Sequence, residues 1–521
     1  MLRRPVPDAL RRRPLREALF ALLAVGSTVP LWLVDRPPLQ DLPQHLAAIR
    51  VWLDYGDPEL RFAEYFELQP WRTQYLAYYA VGCLLAWPLG VSTAVKLLVG
   101  ASLVALPYSM RALLRALGRD ERVALLVLPL AWNAHLVLGF LNFVAALPLS
   151  LWGVALAARL RRAWCLRTAV LLGVVALLCF YTHVVPFALL VMGAGLLAVG
   201  DGWGPSARRL LPLVPSLVAT ALWTQYAPAG HSTLAAASGA EIARTPVPEA
   251  LRELWMWLSD VLHGPEDDVA LVLWGLLVVL GLALGAGPDP RDAPPSPDEA
   301  LGASLTRRVG LLCPLCVAAY FVAPASHDWI WPIAARFPLL AALWLVPLLP
   351  APRRVPGALW VVAAALVAVV HVRAVATAFV EVERHETGEL DRALEVIPRG
   401  SRVAALVFDR GSRYVGFSPF LHAAGWVQAE RGGAVMFSFA DFPHSPFVFR
   451  EHDRPPRVPP RWEWMPERVD PVRDLGWFEY VLVRGGPGRI AFERDVFEPV
   501  FRGPRWSVWR RRVAAEPTHG G

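Results

Sequence analysis

The sequence predicts an all-α polytopic membrane domain with about 11 transmembrane helices, followed by a small extracytoplasmic α/β domain at the C-terminus. Hydrophobic residues make up 55% of the 521 residues and charged residues only 18%. The apolar residues are gathered in blocks of about 20, the length that spans a bilayer as a helix. After residue 380 mixed polar sequence replaces these blocks. We therefore predict a membrane domain at 1–376 and a soluble domain at 380–521.

Arginine-rich tracts predict the orientation, because cytoplasmic loops of membrane proteins carry an excess of Arg and Lys. Several arginines precede the first apolar run, Ala18 to Val34, which lacks an obvious small-residue cleavage site and so reads as an uncleaved span. We expect a cytoplasmic N-terminus and an extracytoplasmic C-terminal domain. Lys96 is the only lysine, a bias typical of GC-rich genomes, and we expect a bacterial inner membrane.

One apolar stretch, Arg72 to Leu89, is left out of the predicted spans. Counting it would place the basic residues Arg111 and Arg115 outside, against the charge rule. Residues 35–90 are therefore expected to form the first extracytoplasmic loop, with juxtamembrane helices. The predicted spans lie near 17–34, 91–114, 121–138, 139–158, 165–182, 184–200, 209–227, 269–286, 309–324, 337–350 and 356–376.

The charge argues against a nucleic-acid-binding protein, and the cysteine usage argues against a disulfide-stabilised one. The net charge of +7 comes mostly from arginines between apolar blocks, so we do not expect nucleic-acid binding. All five cysteines lie in or beside apolar segments, so no disulfide framework is expected. In the tail, the pattern predicts a helix at Glu383–Val396 and strands at 402–408, 478–483 and 506–509.

Polar and ionisable side chains near the span ends share one predicted side of the membrane. Such groups are costly at membrane depth, which makes them candidates for function. The candidates on the outer side are Asp35, Asp41, His45, Arg72, Asn133, His135, Asn142, His183, His327 and Arg336. Asn133 and Asn142 are equally compatible with interhelical hydrogen bonding, and His183 and His327 with an interfacial position.

The segment Asp41-Leu42-Pro43-Gln44-His45 predicts the start of a helix, with Asp41 as its N-cap and Pro43 in the first turn. Asp41 and His45 are four residues apart, so both side chains can emerge on the same face. Two interpretations stay open. Asp41 only caps and His45 only packs, or Asp41, kept ionised by the helix N-terminus, serves as a general base or orients an acceptor hydroxyl.

The layout resembles the GT-C class of membrane glycosyltransferases, polytopic enzymes that use polyprenyl-phosphate-linked sugars. The resemblance covers roughly residues 1–376 and rests on the long first extracytoplasmic loop with its acidic residue, the many spans and the soluble tail. Three segments resemble those of uncharacterised bacterial membrane proteins with this layout: Asp41-Leu42-Pro43-Gln44-His45-Leu46, Gly139-Phe140-Leu141-Asn142-Phe143 and Phe180-Tyr181-Thr182-His183.

The resemblance implies roles for particular residues. An acidic residue of the first loop would act as catalytic base or help to hold a metal, which points to Asp41 with Asp35 as runner-up. Basic residues at the membrane surface would hold the lipid phosphate, which points to Arg336, Arg72 and His183. The loop has no Asp-x-Asp and no adjacent acidic pair, so a divalent metal cofactor stays an open question.

The predicted function is transfer of a sugar from a polyprenyl-phosphate donor to an extracytoplasmic glycan, lipid or protein. A multi-span transporter or flippase of a lipid-linked or envelope component is the second hypothesis, although no clear internal repeat is visible. The third hypothesis is a non-catalytic envelope assembly protein, whose aromatic-rich tail would bind a partner.

Overall fold

Helices make up most of the chain before residue 390, and several of them are long and apolar enough to cross a membrane. The computed structural model describes residues 8–230, 242–285, 296–327, 330–350, 356–456, 463–485, 492 and 495–512. Within these ranges five helices meet the criteria of length and composition: Val91–Leu117, Leu141–Arg162, Glu266–Gly285, Pro297–Val322 and Gly357–Thr387. Shorter apolar helices are Leu76–Leu89, Leu166–Phe180, Val184–Ala198 and Ala334–Leu348. The helical character indicates a membrane protein, whereas about 11 spans stay a prediction.

The helices are numbered along the chain. They are α1 Asp8–Gly26, α2 Val29–Trp32, α3 Leu42–Leu53, α4 Phe62–Tyr65, α5 Leu76–Leu89, α6 Val91–Leu117, α7 Ala134–Val137, α8 Leu141–Arg162, α9 Leu166–Phe180, α10 Val184–Ala198, α11 Trp203–Leu210, α12 Val214–Tyr226, α13 Val247–Glu253, α14 Glu266–Gly285, α15 Pro297–Gly310, α16 Leu312–Val322, α17 Phe337–Leu345, α18 Gly357–Val382, α19 Leu390–Glu395, α20 Ala424–Arg431 and α21 Pro471–Asp474. The strands are β1 Phe66–Leu68, β2 Ile242–Ala243, β3 Ser326–His327, β4 Arg402–Val407, β5 Ala434–Val435, β6 Phe447–Phe449, β7 Tyr480–Arg484, β8 Phe497–Arg502 and β9 Trp506–Arg511.

The segment 121–138, predicted as a helical span, is not a continuous helix. It forms a 3-10 helix at Glu121–Val127 and the single turn α7, joined by irregular chain that is buried. Other helices satisfy its free carbonyls: the Trp274 indole donates to one at 2.8 Å and the His371 imidazole lies 3.3 Å from another. Irregular backbone is tolerated at membrane depth only when protein surrounds it in this way. Apolar periodicity alone could not reveal this conformation.

Helix α5 covers most of the stretch that was left out of the predicted spans. Near its N-terminus the backbone N–H of Ala77 donates to the Tyr181 carbonyl at 2.9 Å, at the end of α9. One residue, Gly90 with φ +79°, separates it from α6. Near the start of α6 the ammonium of Lys96 donates to the Val34 carbonyl at 2.7 Å. Val34 ends the first predicted span and is predicted to lie outside, so the start of α6 lies on that side too, and the position of α5 outside the bilayer stays a prediction.

The C-terminal region forms a five-stranded mixed sheet in the order β5-β4-β7-β9-β8. Strand β4 pairs in parallel with β5 and β7, and β9 pairs antiparallel with β7 and β8. The three strands predicted in the tail are confirmed as β4, β7 and β9. The predicted helix at 383–396 is interrupted, because Gly388 with φ +64° separates a π-helical end of α18 from α19.

The first loop and the C-terminal region are built into one another. Strand β1 of the loop pairs antiparallel with β6, with Glu67 opposite Val448. Helix α3 packs on α20, and a Cβ at Gly425 would lie 2.6 Å from the carbonyl carbon of Pro43. This close approach requires glycine. Helix α20 of the C-terminal region therefore packs against the start of α3, next to Asp41.

Candidate functional site

Asp41 is held by the backbone of the segment that precedes α8. Its N–H donates to the Leu138 carbonyl at 3.1 Å. Gly139 adopts φ +84°, and a Cβ there would lie 2.5 Å from the Asp41 nitrogen. Asp41 occupies the N-cap position of α3 as predicted, but its side chain accepts no capping hydrogen bond. The carboxylate is therefore directed elsewhere.

The carboxylate of Asp41 meets His422, in the turn that precedes α20. Asp41 Oδ1 lies 2.8 Å from His422 Nδ1, and the two side chains are only 12% and 9% exposed. The contact is an ion pair by distance when His422 is protonated, and its angles are not those of a hydrogen bond. The His422 ring stacks on Phe437 with centroids 4.6 Å apart. Sequence reasoning missed His422, because nothing in its local sequence separates it from an ordinary buried histidine.

Amide side chains on both sides of Asp41 bind the backbone of the C-terminal region. Gln40 Oε1 accepts from the N–H of Ser418 at 3.1 Å. Gln44 donates to the Phe437 carbonyl at 3.1 Å and accepts from the N–H of Phe439 at 3.2 Å. These bonds hold His422 in place beside Asp41, because Ser418 precedes its turn and Phe437 stacks on its ring.

His45 is buried, and both of its ring nitrogens are engaged. Nε2 lies 3.0 Å from the Gly139 carbonyl and Nδ1 lies 3.1 Å from the Tyr79 hydroxyl. A neutral ring that donates from Nε2 and accepts at Nδ1 satisfies both contacts. Burial lowers the pKa of His45 to about 4, which keeps the ring neutral near pH 7. The arrangement suits a residue that positions Gly139, and thereby Asp41.

Arg336 is a buried cation beside the same segment. It ends a 3-10 turn before α17, is 8% exposed, and places its guanidinium 5.6 Å from the Phe140 ring centroid. Within the described ranges no carboxylate pairs with Arg336, and its Nε makes no hydrogen bond. A buried charge without a partner costs several kcal/mol. Arg336 contacts Phe140 and Asp41 contacts Gly139, which is the residue before Phe140. The positive charge of Arg336 could therefore bind an anion beside Asp41.

Two further predicted histidines surround Arg336. His135 Nε2 lies 3.0 Å from the Ala335 carbonyl, which fixes the turn that carries the arginine. His183 caps α10 by accepting the Val185 N–H at its Nδ1, and its ring stacks on Tyr75 at 5.8 Å. The far side is closed by His444 of the C-terminal region, whose ring lies 5.2 Å from Tyr75. Burial lowers the pKa of His444 to about 3, helped by the nearby His45 and Arg336.

Asn142, in the first turn of α8, joins the cluster through Tyr79. The two side chains interact, and the buried Oδ1 of Asn142 has no hydrogen-bond partner among the described residues. The Tyr78 hydroxyl is likewise buried and unpartnered within those ranges. An amide oxygen and a phenol with spare hydrogen-bonding capacity are suited to bind hydroxyl groups.

The remaining sequence candidates lie apart from this cluster. Asp35 is exposed, and its N–H donates to Glu383 at 3.1 Å. Arg72 donates to Gln69, and His327 is in the short β2–β3 pair. Asn133 accepts from the N–H groups of His135 and Leu136, both at 3.1 Å, and donates to the Leu130 and Ala131 carbonyls at 3.0 and 3.1 Å, so it stabilises the turn that carries His135. The structure therefore brings together Asp41, His45, His135, Asn142, His183 and Arg336, and adds His422 and His444.

Within the described part of the chain no group of three or more His, Cys, Asp or Glu side chains is arranged to hold a metal ion. Comparisons of the chain with family models, curated proteins and solved structures gave no match. A function is therefore proposed from the geometry around Asp41, His422 and Arg336.

Proposed function

We propose that the protein is a membrane glycosyltransferase that moves a sugar from a polyprenyl-phosphate donor to an extracytoplasmic glycan, lipid or protein. The observation that supports it most is the placement of Arg336, a buried cation that no carboxylate of the described residues pairs, against Phe140, and of Asp41 against the adjacent Gly139. Sugar transfer from a lipid phosphate needs one group of each kind.

Asp41 is the proposed general base. Its carboxylate takes the proton of the acceptor hydroxyl while the acceptor oxygen forms a bond to the anomeric carbon. The bond from that carbon to the phosphate oxygen breaks, and the electron pair leaves with the phosphate. His422, whose Nδ1 lies 2.8 Å from Asp41 Oδ1, orients the carboxylate.

Arg336 is the proposed partner of the phosphate. A guanidinium binds phosphate through paired donors and stabilises the charge that develops as the sugar leaves. The headgroup of a lipid stays at the membrane surface, which is where the end of the bundle that carries Arg336 is predicted to lie. In this proposal Asn142 and Tyr78 bind sugar hydroxyls, and His45 and His135 hold the segments that carry Asp41 and Arg336.

The test uses the full-length chain in lipid nanodiscs with a panel of radiolabelled polyprenyl-phosphate hexoses and pentoses. Release of polyprenyl phosphate is measured with and without an extract of envelope glycans and lipids as acceptor. We expect Asp41→Asn to lower the rate about 100-fold or more, the usual contribution of a general base. Arg336→Gln should weaken donor binding, measured separately by filter retention.

Two matched controls separate the site from general charge effects. Asp453→Asn removes an exposed carboxylate of the C-terminal region, and Arg384→Gln an exposed guanidinium at the end of α18. Both should leave release unchanged. If no donor is bound or consumed, and Asp41→Asn has no effect on the cell envelope, the proposal is wrong. Movement of an intact labelled donor across the bilayer would support the flippase hypothesis instead.

A further inference from the structure

A long apolar groove runs along α6 on the surface of the membrane domain. It has a volume of 940 Å³ and lies between α6 and the chain from α1 to α2, with Trp152 of α8 contributing to its wall. It extends from Leu97 to Arg115, which at 1.5 Å per residue is about 27 Å of helix. Small residues of α6, among them Gly100 and Ala101, leave the space open.

The rim of the groove is apolar and exposed. Val25 is 57% exposed and Trp32 48%. Side chains of this kind are exposed on a helix that faces lipid, because a soluble protein rarely leaves so large an apolar surface in water. The groove therefore opens toward the hydrocarbon of the bilayer, and a hydrocarbon chain is the chemistry that fits its wall.

The end of the groove at the C-terminus of α6 is strongly basic. Arg111 pairs with Glu17 and lies 2.6 Å from Glu121, and Arg115 lies 2.7 Å from Glu121 with 53% of its side chain exposed. A second cavity of 500 Å³ shares Glu17, Arg111 and Arg115 with the groove. Its wall adds Arg16, which is exposed.

The charges at this end do not cancel. The second cavity is lined by five arginines, Arg16, Arg111, Arg115, Arg119 and Arg122, against three carboxylates, Glu17, Asp120 and Glu121. The surplus is two positive charges. Carboxylates pair with Arg111, Arg115 and Arg122, and the exposed side chains of Arg16 and Arg115 are placed to meet an additional anion. By the charge rule this end faces the cytoplasm, where the leaflet is rich in anionic lipids.

We propose that the groove is a binding site for one anionic phospholipid of the cytoplasmic leaflet. Its acyl chain lies along α6 over Gly100 and Ala101, and its phosphate lies between Arg16 and Arg115. The apolar groove matches the acyl chain of the lipid, and the unbalanced positive charge at its end matches the phosphate. This site is independent of the proposed transferase site, which lies at the other end of the bundle.

Native mass spectrometry of the full-length chain tests the proposal, with phosphatidylglycerol and phosphatidylcholine of equal chain length as competing probes. We expect phosphatidylglycerol to be retained about tenfold or more in preference, since each arginine at the surface contributes roughly 1 kcal/mol. Arg16→Gln and Arg115→Gln should each lower its retention severalfold. Ala101→Trp, which fills the groove without touching the arginines, should lower the retention of both probes.

Two control variants make the same kinds of substitution, arginine to glutamine and a small or apolar residue to tryptophan, at positions outside the groove. Arg307→Gln removes an exposed arginine of α15 that does not line the groove, and Leu366→Trp enlarges an exposed apolar residue of α18. Both should retain phosphatidylglycerol like the unmodified protein, and the melting temperature in phosphatidylcholine reports whether each variant folds. Equal retention of the two probes, or equal losses in Arg16→Gln and Arg307→Gln, would overturn the proposal. So would preferential retention of polyprenyl phosphate over phosphatidylglycerol, because it would assign the groove to another lipid.

Discussion

Asp41 of the first loop and His422 of the C-terminal region place Oδ1 and Nδ1 2.8 Å apart, where α3 packs on α20. Neither side chain is more than 12% exposed. The contact links the two parts of the chain that the sequence treats as separate domains. It also puts a titratable group of the C-terminal region next to the proposed base.

We expect Asp41 and His422 to be energetically coupled. A double-mutant cycle with Asp41→Asn and His422→Gln should give about 1–3 kcal/mol of coupling in unfolding stability, because a charge-assisted contact shielded from water is weakly screened. The measurement is denaturant unfolding of the four proteins in detergent. The exposed pair of Glu381 and His385 serves as the control cycle and should show little coupling. Additive effects at Asp41 and His422 would contradict the expectation.

Arg336 and Arg484 are both buried arginines, but they should respond in opposite ways to substitution. Arg484 Nε and Nη2 donate to the carbonyls of Asp409 and Glu386 at 2.8 and 2.9 Å, and its guanidinium lies 3.4 Å from the Phe420 ring centroid. Arg484→Met should therefore lower the melting temperature. Arg336→Met should leave it unchanged or raise it, because the substitution removes from the interior a charge that no carboxylate of the described residues pairs.

The measurement for these arginine variants is thermal unfolding with and without a polyprenyl-phosphate sugar. The donor should stabilise the unmodified protein and Arg384→Gln, and should fail to stabilise Arg336→Met. A melting temperature that falls as far in Arg336→Met as in Arg484→Met would show that Arg336 is a structural residue.

Stability should fall in acid because of two histidines in the cluster. Burial lowers the pKa of His45 to about 4 and of His444 to about 3, from an ordinary value of 6.5. The unfolded chain therefore binds protons that the folded chain does not. Their contribution to stability is complete above about pH 6.5 and is lost as the pH falls toward 4, by at most about 1.4 kcal/mol per pH unit for each histidine.

Replacing these histidines should flatten the pH dependence. The double variant His45→Asn and His444→Gln is measured by thermal unfolding between pH 7 and pH 4.5. It should lose less of its melting temperature across this interval than the unmodified protein, whatever its stability at pH 7. His452→Gln removes a histidine whose side chain is 75% exposed and should keep the original slope. If the melting temperature of the double variant fell with pH as steeply as that of the unmodified protein, the expectation would be wrong.

The predicted orientation can be tested with two glycines that have room for a side chain. Gly411 lies in the C-terminal region and Gly204 in α11 beside Arg208 and Arg209, and a Cβ at either would meet no atom within 4 Å. In a cysteine-free background, Gly411→Cys should react with an impermeant thiol reagent on intact cells. Gly204→Cys should react only after permeabilisation. The reverse pattern would place the Asp41 cluster in the cytoplasm and remove the basis for a lipid-phosphate donor from outside.

Some of the cluster could be predicted from single side chains, and some could not. Asp41, His45, His135, Asn142, His183 and Arg336 follow apolar runs or begin helices, so their common end of the bundle could be inferred from span order. Asp35, Arg72, Asn133 and His327 share the same sequence signal but lie elsewhere. Span order predicts that these residues lie at the same depth in the membrane. Which of them are in contact depends on which helices are neighbours, and span order does not predict that.

The sequence by itself determined the helical membrane character, the strands of the tail and the arginine pattern from which orientation is predicted, because these depend on local apolar length, alternation and charge. Only the tertiary structure decided that 121–138 is irregular chain, since its carbonyls are satisfied by distant side chains such as Trp274. It also decided that His422 faces Asp41 and that Arg336 has no carboxylate partner among the described residues. Long-range packing sets these relationships, and no periodicity in the chain encodes them.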